Sequence, residues 1–175
     1  ADGREFAADG LEVTDCTFKH GHGMSIGSET VGGVHNVTVR NCTFENTDNG
    51  IRIKSDRKRG GTVDGLVCEN ITMTNVAGAI TITSYYPKIP VTDQPQKITK
   101  TTPMYRNIVI RNLKVTSTKD AGFLVGLPES PIENVLLENV EITSERAGLE
   151  IRHARGVVLK NVTVAAGARI AAFCH

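Results

Sequence analysis

Three short stretches of this 175-residue sequence carry side chains that could act on a charged ligand. Gly21-His22-Gly23 sets an imidazole, which can take or give a proton near neutral pH, between two residues that add no bulk and leave room for a ligand to approach. Arg52-Ile53-Lys54 places two cations either side of an apolar residue, so in an extended strand both point the same way. Together they offer a planar fork and a point charge, a pairing suited to a carboxylate. Tyr86 follows the apolar stretch Ile80-Thr81-Ile82. The alternative is that Arg52 and Lys54 are solvated on an exposed strand and His22 is a corner residue. Whether these side chains meet depends on the elements that carry them.

Those elements are repeats. Val13-Thr-Asp-Cys-Thr-Phe18 recurs as Val39-Arg-Asn-Cys-Thr-Phe44, Cys68-Glu-Asn-Ile-Thr-Met73, Ile110-Arg-Asn-Leu-Lys-Val115, Leu137-Glu-Asn-Val-Glu-Ile142 and Leu159-Lys-Asn-Val-Thr-Val164. The Asp or Asn anchors, from residue 15 to 161, are 26, 29, 42, 27 and 22 residues apart, a solenoid period with one insertion. A second series runs between them: Met24-Ser-Ile26, Ile51-Arg-Ile53, Ile80-Thr-Ile82, Phe123-Leu-Val125 and Leu149-Glu-Ile151. Apolar and polar residues alternate, as they do where one strand face meets a core and the other meets solvent. A repeat that cannot bury its apolar face alone must stack in parallel on its neighbours, and parallel crossovers favour the right hand. The expected fold is therefore all-β: a right-handed parallel β-helix of about six coils, one domain over residues 1–175 with an inserted loop at 84–104.

With Ile26, Ile53 and Ile82 in one inward column, Ser25, Arg52 and Thr81 form an outward column and Gly27, Lys54 and Thr83 the next. His22, four residues before Ile26, falls at the corner leading into that face. The anchor asparagines fit turns where each side-chain amide bonds the one a coil away, about 4.8 Å off. Asn-x-Thr sequons at Asn36, Asn41, Asn70 and Asn161 are read as products of this repeat rather than as glycosylation sites. The loop holds four prolines between Ser84 and Pro103 and is either a surface excursion or a functional wall. Asp56-Arg57-Lys58-Arg59 is read as a solvated loop, with extension of the positive patch as the alternative.

A net charge of +1 excludes a globally basic nucleic-acid binder. No apolar run is long enough to cross a membrane, and no charged start precedes an apolar segment as in a signal peptide. Cys16, Cys42, Cys68 and Cys174 lack metal-ligand spacing and are expected to be small buried residues. No metal and no cofactor is expected. The chain starts at Ala1-Asp2-Gly3 without methionine, which reads as a processed or truncated piece. A coil edge exposed there would invite strand addition, giving a homo-oligomer or implying further coils upstream.

Gly21-His-Gly-Met-Ser-Ile-Gly-Ser-Glu29 followed by Asn46-Thr-Asp-Asn-Gly-Ile-Arg-Ile-Lys54 resembles the paired signatures of polygalacturonase-type enzymes, glycoside hydrolase family 28. The resemblance covers essentially the whole chain as the C-terminal half of such an enzyme. It implies hydrolysis of α-1,4-linked galacturonate in pectin with inversion, in an extracellular or periplasmic setting. It further implies that His22 is the active-site histidine in a supporting role, that Arg52 and Lys54 hold the substrate carboxylate, and that Tyr86, or its neighbour Tyr85, contacts the sugar. The family's catalytic aspartates lie upstream of the Gly-His-Gly motif, outside this chain. Asn46-Thr47-Asp48 repeats the letters of one acid motif a coil too late, so Asp48 is not expected to serve as the acid. An inverting glycosidase needs two carboxyls about 6.5–9.5 Å apart. His22, Arg52 and Lys54 offer binding instead. A non-catalytic carbohydrate-binding or structural β-helix, and a uronate β-elimination for which the same residue types would serve, are the competing readings.

Overall fold

The alternating segments become strands, and the strands become coils. The computed structural model describes residues 6–167 and the backbone of 169–172; Cys174 and the opening Ala1-Asp2-Gly3 lie outside the described residues. In chain order the strands are β1 (Ala8–Asp9), β2 (Glu12–Thr14), β3 (Thr17–Lys19), β4 (Met24–Ile26), β5 (Val34–Glu45), β6 (Asn49–Lys54), β7 (Thr62–Thr83), β8 (Met104–Val125), β9 (Ile132–Ser144), β10 (Ala147–Arg152), β11 (Ala154–Ala166) and β12 (Arg169–Ala172). Each pairs in parallel with its counterpart about one coil away, along the path β1-β5-β7-β8-β9-β11. The exception is β12, which doubles back antiparallel on β11. This is the all-β, right-handed parallel β-helix.

Two features of the repeat build the coil. Inward residues stack in columns such as Val39, Cys68, Ile110 and Leu137, or Phe44, Met73, Val115 and Ile142, all buried. Phe18 stacks on Phe44 with ring centroids 4.6 Å apart. The corners are turned by residues in the left-handed backbone region, where Asn is among the side chains tolerated best: Asn41 (φ 54), Asn70 (φ 56), Asn112 (φ 54), Asn139 (φ 54) and Asn161 (φ 51). Their amides form the ladder, Asn70 donating to Asn41 at 3.1 Å, Asn112 to Asn70 at 3.0 Å, Asn139 to Asn112 at 3.1 Å and Asn161 to Asn139 at 2.9 Å. Asn36 and Asn41 donate likewise to Asp9 and Asp15, so the side-chain nitrogen of every sequon asparagine is already engaged.

An outward row carries alternating charge, Arg40, Glu69, Arg111, Glu138 and Lys160, each in register with the next. Glu69 accepts from Arg40 at 2.7 Å and from Arg111 at 2.7 Å. The Arg111 guanidinium, with Arg40 beyond it, holds the Glu69 carboxyl below the usual carboxylate range against the opposing effect of burial. Glu69→Gln is expected to lower the melting temperature at low ionic strength, by an amount that shrinks as salt is added, with the difference from wild type vanishing at a pH below the carboxyl's depressed pKa. Calorimetry at two salt concentrations checks this.

Two expectations need correction. Cys42 and Cys68 are buried but Cys16 is exposed, because it belongs to the first described coil and is covered by the next on one side only. The second strand series is also out of phase at its fourth member. Ile80 pairs with Gly122, Thr81 with Phe123 and Ile82 with Leu124, so Leu124 takes the core position and Phe123 faces outward. Phe123-Leu124-Val125 has no polar residue to fix its phase, and the inward position before it is held by a glycine that casts no apolar signal.

Candidate functional site

The outward columns of the stack β4, β6, β7, β8 and β10 define one face. Along it run Ser25, Arg52, Thr81, Phe123 and Glu150, and beside them Lys54, Thr83, Val125 and Arg152. Arg52 and Lys54 thus project from one strand on the same side, their backbone fixed by Ile53 in the core between them.

Tyr86 is brought to them by the chain leaving β7. Its amide donates to the Ser55 carbonyl at 3.0 Å, turning the ring back over the preceding coil. The Lys54 Nζ lies 4.0 Å from the ring centroid, and the Arg52 and Arg59 Cζ atoms each lie 5.7 Å from it. The ring face is negative, so it draws the cations together and offsets part of their mutual repulsion. Arg59 is also neutralised by Asp56 at 2.7 Å and Glu29 at 3.1 Å, whereas no carboxylate among the described residues pairs with Arg52 or Lys54. Their charge remains available for an anionic ligand.

Residues 84–103 stand over this face as a strap, tied at several points. Tyr85 is buried and its hydroxyl donates to Asp93 at 2.7 Å. Arg57 lies against the Tyr85 ring, pairs with Asp93, and makes two parallel bonds to Glu129 at 2.7 and 3.1 Å. Arg152 donates to the carbonyls of Val91 at 2.7 Å and Pro90 at 2.8 Å. Burial pushes the Asp93 carboxyl up, but the Tyr85 hydroxyl and Arg57 outweigh it and hold it below the ordinary range; Arg57 does the same for Glu129. Burial and the neighbouring Asp93 carboxylate push the Tyr85 phenol up, so it stays a donor. Of the two adjacent tyrosines, Tyr86 meets the paired cations and Tyr85 serves the strap. The stretch 56–59 is accordingly neither a solvated loop nor a simple extension of the patch, since Arg57 and Arg59 are each matched by two carboxylates.

His22 is exposed on the turn before β4, with Nδ1 2.8 Å from an Asp48 carboxylate oxygen, while the Asp48 amide donates to the Gly21 carbonyl at 2.7 Å. Asp48 lines the groove and His22 reaches it only through Asp48. The structure therefore brings Arg52, Lys54 and Tyr86 into direct contact and leaves His22 at the rim. Gly23 is required by the stack rather than by a ligand: at φ +67, a Cβ there would stand 1.9 Å from the Asn49 carbonyl oxygen.

Between the strand face and the strap runs an open groove of about 740 Å³. Beyond the predicted residues it is lined by Lys88, Lys119, Asp120, Phe123, Glu150 and Arg152. In-register alignment with Asn49 and Gly78 was the available signal for Asp120, and alignment with Arg52 for Phe123 and Glu150. Among the described residues no cluster of His, Cys, Asp and Glu is arranged to hold a metal ion, and no helix is long and apolar enough to cross a membrane.

Comparison with known proteins agrees with this architecture. An endo-polygalacturonase of Pectobacterium carotovorum subsp. carotovorum is 38% identical over 155 residues, 88% of this chain and 34% of the relative. A polygalacturonase of Ralstonia solanacearum is 32% identical over 157 residues, 82% of this chain and 28% of the relative. The chain thus spans about a third of the length of the curated relatives it matches. The crystal structure of a hyperthermoactive exopolygalacturonase from Thermotoga maritima superposes with a TM-score of 0.77 at 24% identity, covering 94% of this chain and 36% of that one, a likeness of fold. A polygalacturonase from Erwinia carotovora ssp. carotovora gives a TM-score of 0.54 at 31% identity, covering 93% and 38%. The model of the glycosyl hydrolases family 28 matches residues 6–167, and the coils, the groove and these relatives together make the chain a member of that family.

Proposed function

We propose that this chain binds an acidic oligosaccharide of the pectin type, polygalacturonate, and forms the substrate-holding part of a polygalacturonase. The observation that carries the reading is the pairing of Arg52 and Lys54 on one strand face beside the Tyr86 ring, cations with no carboxylate partner among the described residues and opening into a groove. A sugar carboxylate would accept from the guanidinium and ammonium together, and Tyr86 would pack on the ring that bears it. In this reading His22, held by Asp48, orients groups at the groove's edge. An inverting hydrolase also needs two carboxyls about 6.5–9.5 Å apart, and the family resemblance implies that they come from chain upstream of Gly21-His22-Gly23. Such polymers are met outside the cell, so an extracellular or periplasmic setting goes with it.

Calorimetric titration with an unesterified oligogalacturonide tests the proposal. Wild type is expected to bind, and Arg52→Ala/Lys54→Ala to bind at least about a hundredfold more weakly, since two charge-assisted contacts are removed. Equal affinity in the double variant would overturn it. A reducing-sugar assay with the 175-residue chain is expected to show no hydrolysis.

A further inference from the structure

The Tyr86 side chain has no anchor of its own. Its amide is tied to the Ser55 carbonyl, but the ring is half-buried and its hydroxyl bonds to none of the described residues. Contacts on the ring must hold it. Three cations supply them, the Lys54 Nζ at 4.0 Å from the ring centroid and the Arg52 and Arg59 Cζ atoms at 5.7 Å each.

These cations are not equivalent once a ligand arrives. A carboxylate that accepts from Arg52 and Lys54 competes with the ring for both charges, and charge-assisted hydrogen bonds outweigh a cation–π contact at a partly exposed ring. Arg59 is exempt. It does not line the groove, whereas Arg52, Lys54 and Tyr86 all do. Its Nε and Nη2 donate to Asp56 at 2.8 and 2.7 Å and its Nη1 to Glu29 at 3.1 Å, so every guanidinium nitrogen already serves a carboxylate. Its backbone is pinned as well. The Thr30 amide donates to the Arg59 carbonyl at 3.0 Å, and the Arg59 amide donates to the Asp56 carbonyl at 3.1 Å. The clamp spans three successive coils, since Glu29 and Thr30 follow β4, Asp56 and Arg59 follow β6, and Tyr86 follows β7.

We propose that Arg59, held by Asp56 and Glu29, is a positioning residue for the ligand: it keeps the Tyr86 ring in place at the groove when Arg52 and Lys54 turn to the sugar carboxylate. This rests on the galacturonan-binding reading above, and adds to it a residue that the ligand does not touch.

The test is a double-mutant cycle read by calorimetric titration of the whole chain with an unesterified oligogalacturonide. Arg59→Met is made together with Asp56→Asn, which removes one charge of each sign and leaves the net charge near the groove unchanged. An asparagine side-chain oxygen can still accept from the Lys58 amide, as Asp56 does at 2.8 Å. With Tyr86 present, this pair of substitutions is expected to weaken binding about three- to tenfold, for the lost ring contact and the cost of ordering a freed side chain. In a Tyr86→Leu background it should change affinity by less than about twofold, because no ring is left to position. Arg59→Lys is the milder variant should the pair unsettle the fold. It keeps the charge but cannot serve two carboxylates and the ring at once, so a loss of about two- to threefold is expected, again only with Tyr86 present. Equal weakening with and without Tyr86 would overturn the proposal, since Arg59 would then act through its own charge or through the fold. No weakening with Tyr86 present would overturn it too. Neither result touches carboxylate binding by Arg52 and Lys54; if wild type binds no oligomer, or binds it no better than Arg52→Ala/Lys54→Ala, that reading falls and the proposal with it.

Discussion

Gly122→Val is expected to prevent this chain from reaching its native stack, or to leave it with a melting temperature lower by more than about 10 °C, as read by circular dichroism. Gly122 sits on the inward side of β8 at φ +134, a conformation closed to side-chain-bearing residues. A Cβ there would stand 1.7 Å from the Ile80 carbonyl oxygen and 3.0 Å from the Ile80 nitrogen, so it would collide with backbone held in the neighbouring coil. Backbone cannot swing aside as a side chain can; the coils would have to part, opening the core at Ile82 and Leu124. A penalty of about 4 kcal/mol or more follows from strain and lost packing together, and a chain of this size loses about 2–4 °C per kcal/mol. Gly148→Ala is the control. Its Cβ would meet nothing nearer than 4.0 Å and its backbone is ordinary, so little change is expected.

Arg57→Ala should free the strap while leaving the coils folded. It removes the group that joins Asp93 on the strap to Glu129 on the turn before β9, and leaves two carboxylates facing each other beside the Tyr85 hydroxyl. Fully buried pairs lose about 3–5 kcal/mol when one partner is removed; with the Arg57 side chain 22% exposed, roughly 2 kcal/mol is the expectation. Limited proteolysis should cut within residues 84–103 in the variant and spare wild type, while the far-ultraviolet spectrum stays the same. The pH dependence has a definite sign. Asp93 and Glu129 have folded pKa values below their unfolded ones, so their contribution is complete above about pH 4–5 and is lost as pH falls through the depressed values. Wild-type protection should therefore fade only in acid, and Arg57→Ala should lack it throughout.

Much of the fold was legible because its rules are local. An asparagine that turns a corner, an apolar residue on either side of a polar one, and a period near one coil length are all written within single repeats. The placement of Arg52 and Lys54 was legible for the same reason, since Ile53 between them fixes which way both point. Phe123 was not, because three apolar residues in a row set no phase and the glycine before them hides the inward position. The strap's role was illegible for a different reason: its fastenings, Arg57 to Glu129 and Arg152 to the Pro90 carbonyl, join residues 72 and 62 positions apart through irregular backbone that no periodicity describes. The contact of His22 with Asp48 depends on corner geometry, and the letters around Asp48 drew attention to a different role.

The alternating row Arg40, Glu69, Arg111, Glu138, Lys160 makes the coils non-interchangeable. By core and by asparagine corner, any coil could follow any other, as in a chain grown by duplicating one unit. By charge, the sequence has a parity. Removing the single coil that carries Arg111 would bring Glu69 into register with Glu138, and copying it would set arginine on arginine. Along this row, insertion or loss by pairs of coils preserves the match and by single coils breaks it. A solenoid marked in this way can lengthen or shorten by recombination, but it counts in twos.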